Sequence, residues 1–118
     1  MNKIELDNIL IDRLEMIEDR FNISISNFLI QYCPDDLDVY CDVTSNTATN
    51  IVKQFWINAA LYDQNNNILA HSRDLPNNPE ATSIRERNKF NGFHRSRIRF
   101  FNLGFDVSEI KRILVFPS

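Results

Sequence analysis

The chain has 118 residues, a mass of 13.9 kDa and a net charge of −3, which fits one domain and argues against a general nucleic-acid binder, whose surface is usually basic. Its hydrophobic fraction of 43%, with nine Phe, three Tyr and one Trp, can fill a core without metals or disulfides and excludes a disordered chain. We therefore expect residues 1–118 to fold as a single domain.

The first residues of the chain argue against export. They carry acids where a secretory signal needs positive charge, no apolar stretch follows them, and no apolar run approaches the roughly 20 residues of a membrane span. We therefore expect a cytoplasmic protein that does not bind membranes, with Cys33 and Cys41 as reduced thiols. The two cysteines flank a turn signal at Pro34 to Asp36, which places them too far apart for a disulfide.

Residues 4–20 fit two structures. An apolar residue at every third or fourth position would make one face of a helix: Leu6, Leu10, Leu14, Ile17 and Phe21. Ile9, Ile11 and Met16 lie off that face, and the neighbouring segments are strand-like. We therefore favour a strand over residues 9–18 and keep the helix as the alternative.

From residue 22 onward, apolar residues alternate with polar ones, which is the period of a half-buried strand. Ile23 and Ile25 begin the first such run, and Phe28, Ile30 and Tyr32 continue it. A second strand follows the turn. Its faces are apolar and polar: Leu37, Val39, Cys41 and Val43 point one way, and Asp36, Asp38, Tyr40 and Asp42 point the other.

Residues 51–62 form a long apolar run that predicts a central strand. Both of its faces are apolar: Phe55, Ile57, Ala59 and Leu61 lie on one, and Trp56, Ala60 and Tyr62 lie on the other. The second face needs a cover, since large exposed apolar patches are rare on monomers. That cover is either the chain's own segment 4–20 or a second subunit or partner.

The rest of the chain alternates strands with turn signals. An Asn-rich loop at residues 63–67 predicts a hairpin that returns along residues 68–72, because Asn tolerates the left-handed backbone of such turns. Seven or eight short strands of this spacing predict an all-β, antiparallel sandwich of the immunoglobulin or fibronectin type, with room for one short helix. The remaining predicted elements are strands at residues 82–88, 93–101 and 110–116 and a helical turn or loop at residues 106–109.

Several segments carry a resemblance to a known family. Asn58-Ala59-Ala60-Leu61-Tyr62-Asp63 leads through an Asn-rich turn into Ile68-Leu69-Ala70, and Phe90-Asn91-Gly92-Phe93 and Ile113-Leu114-Val115-Phe116-Pro117 follow. Over residues 50–118 this pattern resembles the FxLYD-type and related fibronectin-like β-sandwich domains of bacteria, with Ala59 where the name-giving Phe would stand. The resemblance implies a sandwich fold and brings no catalytic residues.

The charge of the chain is divided between its two parts. Residues 1–80 hold five Lys or Arg and thirteen Asp or Glu, a balance of −8, whereas residues 81–118 hold eight and three, a balance of +5. Within the basic part, a strand would place Arg95, Arg97 and Arg99 on one face, and we call these three residues the arginine row. Guanidinium groups at strand spacing suit either successive phosphates or a carboxylate-rich protein surface.

The arginine row also has an internal interpretation. Asp36, Asp38 and Asp42, which we call the acidic row, lie on the polar face of another strand with the same period. If the two strands are neighbours, the rows form a ladder of ion pairs within the protein. If they are not, the acidic row is a candidate surface for a basic partner. Both interpretations remain open at the level of sequence.

No motif predicts catalysis or a metal site. The Asp63-Gln64-Asn65-Asn66-Asn67 run begins like a calcium loop, but Ile68 stands where that loop needs Gly. The His71-Ser72-Arg73-Asp74 run places His, Ser and Asp together in sequence, which is not the geometry of a catalytic triad. Neither His71 nor His94 has a second ligand at metal-binding spacing. We therefore expect no enzymatic activity, no cofactor and no metal.

These observations favour a non-enzymatic protein-binding module, such as an inhibitor, an immunity-type neutraliser of a toxin or an accessory protein, that acts through charged strand faces. We expect the partner to be another protein that complements the arginine row or the acidic row in charge. Nucleic acid is disfavoured because the net negative charge would repel it outside the basic patch. The alternatives are a structural homo-oligomer and a β-sandwich that binds a small molecule.

Overall fold

The computed structural model describes residues 9–33, 35–46, 55–76 and 93–118. Within these ranges the chain is mostly β, with seven strands, one six-residue α-helix and one short 3₁₀ helix. In chain order the elements are β1 (Leu10–Arg13), α1 (Glu15–Arg20), β2 (Ile23–Cys33), β3 (Asp36–Ser45), β4 (Ile57–Tyr62), β5 (Ile68–Asp74), β6 (Phe93–Phe100), the 3₁₀ helix (Val107–Glu109) and β7 (Arg112–Pro117).

The strands form two sheets that face each other. One has four strands in the order β1-β7-β4-β5, and the other has three in the order β2-β3-β6. Neighbouring strands are antiparallel except β1 and β7, which run parallel. The predicted all-β, sandwich-like arrangement is confirmed at this level. Aliphatic side chains from both inner faces form the core, including Ile25, Val39, Ile57, Leu61, Ile98, Ile113 and Val115.

The faces of β3 and β6 follow the predicted alternation. In β3 the inward residues are fully buried, while the residues between them face outwards. In β6 the inward positions are Ser96, Ile98 and Phe100, which are also buried. Because side chains alternate across a strand, the outward positions of β6 are those of the arginine row.

A β-bulge sets the faces of β2. In the first part of β2 the odd-numbered Ile23 and Ile25 point into the core. In its second part the even-numbered Ile30 does so, and the inward positions have therefore changed from odd to even numbers. The change occurs at a bulge just before Leu29, where Asn27 adopts a left-handed φ of 53°. The extra residue turns Leu29 onto the outer face, where it is exposed.

β4 is the central strand that its two apolar faces predict. It lies between β7 and β5, and almost all of its residues are buried. The strand begins at Ile57, so Phe55 and Trp56 precede it, and residues 51–54 of the predicted strand lie outside the described residues. The strand predicted for residues 82–88 also lies outside them.

The segment predicted as a strand over residues 9–18 is half strand and half helix. β1 covers Leu10–Arg13 and confirms the strand there, but Glu15–Arg20 form α1, so the prediction is wrong for its second half. Residues 4–8 lie outside the described residues. The helical turn has a physical reason, because it directs the side chain of Glu18 into the protein.

Glu18 is a buried carboxylate with three hydrogen bonds. Its side chain is 1% exposed. Arg13 donates from Nε to Oε2 over 3.0 Å and from Nη2 to Oε1 over 2.7 Å, and the backbone N–H of Ile25 donates to Oε1 over 3.0 Å. The hydrogen bond to Glu18 raises the pKa of Arg13 above its ordinary value. Since Arg13 belongs to β1 and Ile25 to β2, this carboxylate links the two sheets.

Two turns take the form that the sequence predicts. Between β4 and β5, the carboxylate of Asp63 accepts hydrogen bonds of 2.9 Å from the backbone N–H groups of Asn65 and Asn67. It therefore stabilises the predicted hairpin turn. Before β7, Asp106 and Glu109 form a reciprocal capping box around the 3₁₀ helix.

Replacing Glu18 with Ala should lower the free energy of unfolding by about 2–4 kcal/mol, because it leaves the Ile25 N–H buried without an acceptor and removes the partner of Arg13. Urea unfolding followed by circular dichroism would measure the change. Glu15→Ala is the matched control, since Glu15 is an exposed acid 4.0 Å from Arg13 and its loss should cost less than about 0.5 kcal/mol. Equal losses for the two variants would contradict the role given to Glu18.

Candidate partner-binding face

The arginine row and the acidic row lie on neighbouring strands. β3 pairs with β6 in a register that sets Asp38 opposite Arg99 and Asp42 opposite Arg95. These side chains project from the outer face of the three-stranded sheet, since the inward positions of both strands are filled by the core. Of the two arrangements that the sequence left open, the structure contains the internal ladder of ion pairs.

Asp38 pairs with two members of the arginine row. Arg97 donates to Oδ2 from Nη2 over 2.8 Å and from Nε over 3.1 Å. Arg99 donates from Nε to Oδ1 over 3.2 Å. The hydrogen bond with Asp38 raises the pKa of Arg97 above its ordinary value. One carboxylate therefore orients two guanidinium groups on the same face.

The other two acids are also engaged within the protein. Asp42 accepts from Arg95 Nε at Oδ1 over 3.1 Å and from the side-chain amide of Asn27 at Oδ2 over 2.8 Å. Asn27 is the left-handed residue of the β2 bulge, so the bulge supplies Asp42 with its second partner. Asp36 accepts from the backbone N–H of Asn102 over 3.1 Å.

The two rows differ in their exposure to solvent. The side chains of Asp38 and Asp42 are 13% and 12% exposed, whereas those of Arg95, Arg97 and Arg99 are 58%, 47% and 42% exposed. The face therefore presents cationic groups above a layer of mostly covered carboxylates. The arginine row is accessible to a partner, and Asp38 and Asp42 of the acidic row mainly hold these arginines in place.

Apolar side chains surround the arginine row. The Cζ atom of Arg97 lies 5.7 Å from the ring centroid of Tyr40, and that of Arg99 lies 4.5 Å from the ring centroid of Phe101. Leu29, Phe93 and Phe101 are exposed. We call this outer face of β2, β3 and β6 the docking face; its contact residues are Leu29, Tyr40, Phe93, Arg95, Arg97, Arg99 and Phe101.

The sequence pattern had not been used to predict the exposure of three of these residues. Phe93 and Phe101 share the odd-numbered positions of the arginine row, so the alternation of β6 was a signal for their exposure. Leu29 faces outwards only because of the bulge that precedes it. A change from odd to even apolar positions within one strand was the signal for that bulge.

Arginines cover the aromatic residues on the outer face of the four-stranded sheet. The Cζ atom of Arg73 lies 4.0 Å from the ring centroid of Trp56, and that of Arg112 lies 5.0 Å from the ring centroid of Tyr62. Arg112 also donates from Nε to Asp12 over 2.7 Å. β1 extends this sheet beside β7, so the described part of segment 4–20 does not lie across the aromatic face as a cover.

The His, Ser and Asp of the 71–74 run take separate partners. His71 lies 3.0 Å from Oδ1 of Asn58, and Ser72 donates from Oγ to the backbone carbonyl of Arg99 over 2.7 Å. Asp74 instead lies 3.1 Å from Nε2 of His94, which belongs to the other sheet. These residues therefore do not form a triad. Ser72 and Asp74 join the edges of β5 and β6, and His71 bonds within the four-stranded sheet.

Asp74 is a half-buried acid whose pKa is lowered in the folded protein. Burial by itself raises the pKa of its carboxyl, but the hydrogen bond with His94 and further polar contacts outweigh that effect. One of these contacts is with the hydroxyl of Ser96, which is fully buried nearby and forms no hydrogen bond of normal geometry. The lowered pKa makes Asp74 a contributor to stability that depends on pH.

The part of the chain that the structure describes contains neither a cluster of metal-binding side chains nor a membrane-spanning helix. Among those residues, no three His, Cys, Asp or Glu side chains come together as a metal site. No helix in the described ranges is long and apolar enough to cross a membrane.

Comparisons of the chain with family models, with curated proteins and with solved structures gave no match. A functional proposal therefore depends on the geometry of the docking face.

Acidification should reveal the contribution of Asp74. Because its pKa is lowered below the usual value of 3.8, the stabilisation is complete above that pH and is lost as the pH falls through the folded-state pKa. The free energy of urea unfolding should therefore fall more steeply below about pH 4 in the wild type than in Asp74→Asn. Asp19→Asn, which removes an exposed acid, should follow the wild-type profile. Identical acid profiles for the wild type and Asp74→Asn would contradict the pairing with His94.

Proposed function

We propose that this protein is a non-enzymatic protein-binding module that receives an acidic protein surface on its docking face. The observation that carries the proposal is the arginine row, whose guanidinium groups are about half exposed and are held by mostly buried carboxylates. An inhibitor, an immunity-type neutraliser of a toxin and an accessory subunit are kinds of protein that work through such a face.

Internal pairing and partner binding are compatible functions of the same arginines. A long side chain that moves freely in solvent loses rotamer freedom when a partner fixes it, and that loss weakens binding. Here Asp38 orients Arg97 and Arg99 before any partner arrives. Much of the loss therefore occurs during folding, which leaves the docking face preorganised for association.

The arginine row keeps hydrogen-bond donors for a partner. In their ion pairs with described residues, Arg95 and Arg99 use only Nε. Their Nη groups are therefore the donors that we assign to a partner. Carboxylates match these planar groups in geometry and charge. Phe93 and Phe101 extend the contact area at the two ends of the row, and Arg and aromatic residues dominate the energy of many interfaces.

We further propose that the sandwich is of the immunoglobulin or fibronectin type, as the resemblance to FxLYD-type domains implies. The order β2-β3-β6 corresponds to strands A-B-E of that fold, and β5-β4-β7 corresponds to C′-C-F. β1 lies beside β7, at the place of strand G, but it runs parallel to its neighbour and precedes the other strands. Interstrand distances from NMR would test this correspondence, and a pairing of β6 with a strand other than β3, or the absence of the β4–β7 pair, would contradict it.

A reducing, cytoplasmic location is part of the proposal. Cys41 is a fully buried thiol with no disulfide among the described residues. Burial raises its pKa to about 12, so it stays protonated and unreactive. Fractionation of the source cells would test the location, and recovery of the protein only outside the cytoplasm would contradict it.

The double variant Arg95→Gln/Arg97→Gln tests the docking face while each carboxylate keeps one partner. Asp38 retains Arg99, and Asp42 retains the amide of the bulge residue. We therefore expect a thermal midpoint close to that of the wild type. We expect partner binding to weaken at least about tenfold, because the variant removes two central guanidinium groups.

The matched control is Arg20→Gln/Arg73→Gln, which removes the same charge from outside the docking face. Tagged proteins would capture partners from lysate of the source cells at low and high salt, with and without nuclease, with mass spectrometry as the readout. We expect the wild type and the control to retain one stoichiometric acidic protein, less at high salt and equally after nuclease.

Three outcomes of this capture would contradict the proposal. Equal capture by both double variants would separate binding from the docking face. Capture abolished by nuclease would indicate nucleic acid instead. A fixed multimer of the wild type in light scattering, lost in Arg95→Gln/Arg97→Gln, would show that the face pairs copies of this chain.

A further inference from the structure

A cleft of about 510 Å³ opens at the edge of the sandwich, between β5 and the chain that leaves β6. We call it the edge cleft. It exists because the inward residues of β5 here are small: Ser72 and Ala70 pair with the inward Ala59 and Leu61 of β4. A volume of this size is typical of sites that hold small organic molecules.

The walls of the edge cleft are fixed by hydrogen bonds. Asn102 turns the chain with a left-handed φ of 52°, and the backbone N–H of Leu103 donates to the carbonyl of Asp35 over 2.9 Å. On the opposite wall, the hydroxyl of Ser72 bonds to the backbone carbonyl of Arg99. The cleft is therefore formed without a ligand, which reduces the cost of ordering it on binding.

Arg99 is the permanently charged residue among those that line the edge cleft. Its Nε is engaged by Asp38, its guanidinium lies against the ring of Phe101, and its side chain is still partly exposed. The two Nη groups at the end of such a planar fork can bind both oxygens of one carboxylate. The position of this cation is defined from two sides, by the ion pair and by the ring.

The remaining walls combine polar groups, such as the side chains of Ser72 and Asn102, with large apolar side chains. Leu69 lies on the β5 side, and Phe101, Leu103 and Phe105 lie on the other side. Leu103 and Phe105 are partly buried against the core, so their positions are supported from behind. Aromatic and branched side chains around one cation favour a ligand that is apolar at one end and anionic at the other.

We propose that the edge cleft binds a carboxylate attached to an aromatic or branched apolar group, either as a small free acid or as the C-terminal residue of a peptide. The carboxylate pairs with the Nη groups of Arg99, and the apolar group lies between the Leu69 wall and the Phe101–Phe105 wall. This site shares Arg99 and Phe101 with the docking face but goes beyond it, because Arg95 and Arg97 are not among its lining residues and the β5 wall is not part of that face.

The probe for the test is 3-phenylpropionate, titrated into ¹⁵N-labelled protein and followed by NMR. We expect shift changes confined to the amides of residues 69–72 and 99–105, with a dissociation constant on the order of millimolar for so small a ligand. The uncharged 3-phenylpropanamide should bind at least about tenfold more weakly. N-acetyl-Ala-Phe, compared with its C-terminal amide, tests the peptide source, and tighter binding than 3-phenylpropionate would favour that source.

Two variants act on the site in different ways. Arg99→Gln removes the cation while Asp38 keeps Arg97, and it should weaken binding of 3-phenylpropionate at least about tenfold. Gly104→Leu adds a side chain at the cleft where a Cβ would meet no atom within 4 Å, so it should fold normally and obstruct the site. Arg95→Gln is the control, since it alters the same row away from the cleft and should leave binding unchanged.

Several results would overturn the proposal. The first is no saturable shift change with either probe. The second is equal binding of the acid and its amide, which would leave no role for the cation. The third is binding that Arg99→Gln and Gly104→Leu do not weaken, or that Arg95→Gln weakens as much. If Arg99→Gln fails to fold, Gly104→Leu and the amide comparison still decide the question. None of these readouts depends on the partner sought with the docking-face variants.

Discussion

A buried carboxylate needs partners, and the architecture of this protein depends on how Glu18 obtains them. Arg13 reaches it from β1 and the backbone N–H of Ile25 reaches it from β2, so both sheets are bonded to one side chain. A strand continued beyond Arg13 would carry Glu18 past this point, whereas the turn of α1 directs it inwards. The bond from Ile25 also occupies part of the edge of β2, an edge that would otherwise offer unpaired groups to other chains.

In each of two ion pairs of this protein, the carboxylate is covered and the arginine is more exposed. Glu18 is buried while Arg13 is partly exposed, and Asp38 is mostly covered while Arg97 is about half exposed. Glu18 and Asp38 each accept several bonds and stay covered, and the long arginine side chains carry their charge outwards. A chain with a net charge of −3 can therefore present a face of cationic groups, because the sign of a surface depends on which partner of each pair is exposed.

The sequence predicted which side chains share a face of a strand better than it predicted which strands pair with each other. Alternation assigned the correct side to the residues of β3 and β6, because a period of two needs only the polarity of each side chain. It could not decide whether the two charged rows meet, since Asp42 and Arg95 are 53 residues apart and no local pattern records their register. α1 has only six residues, too few for a helical period to stand out, and the exposure of Leu29 depends on a bulge that shifts the period within β2. The edge cleft depends on small inward residues and on a turn after β6, neither of which an apolar pattern reveals.

The parallel pairing of β1 with β7 has a consequence for synthesis of the chain. Leu10 is aligned with Arg112, so the earliest strand of the four-stranded sheet waits for the latest. On the ribosome β1 emerges before β7, its strand partner among the described residues, so the pair forms only after the residues between them have left the exit tunnel. β4 waits for the same strand on one of its sides. Contacts so distant in sequence slow folding, so we expect the pairing of β7 with β1 and β4 to be a late step in forming the four-stranded sheet.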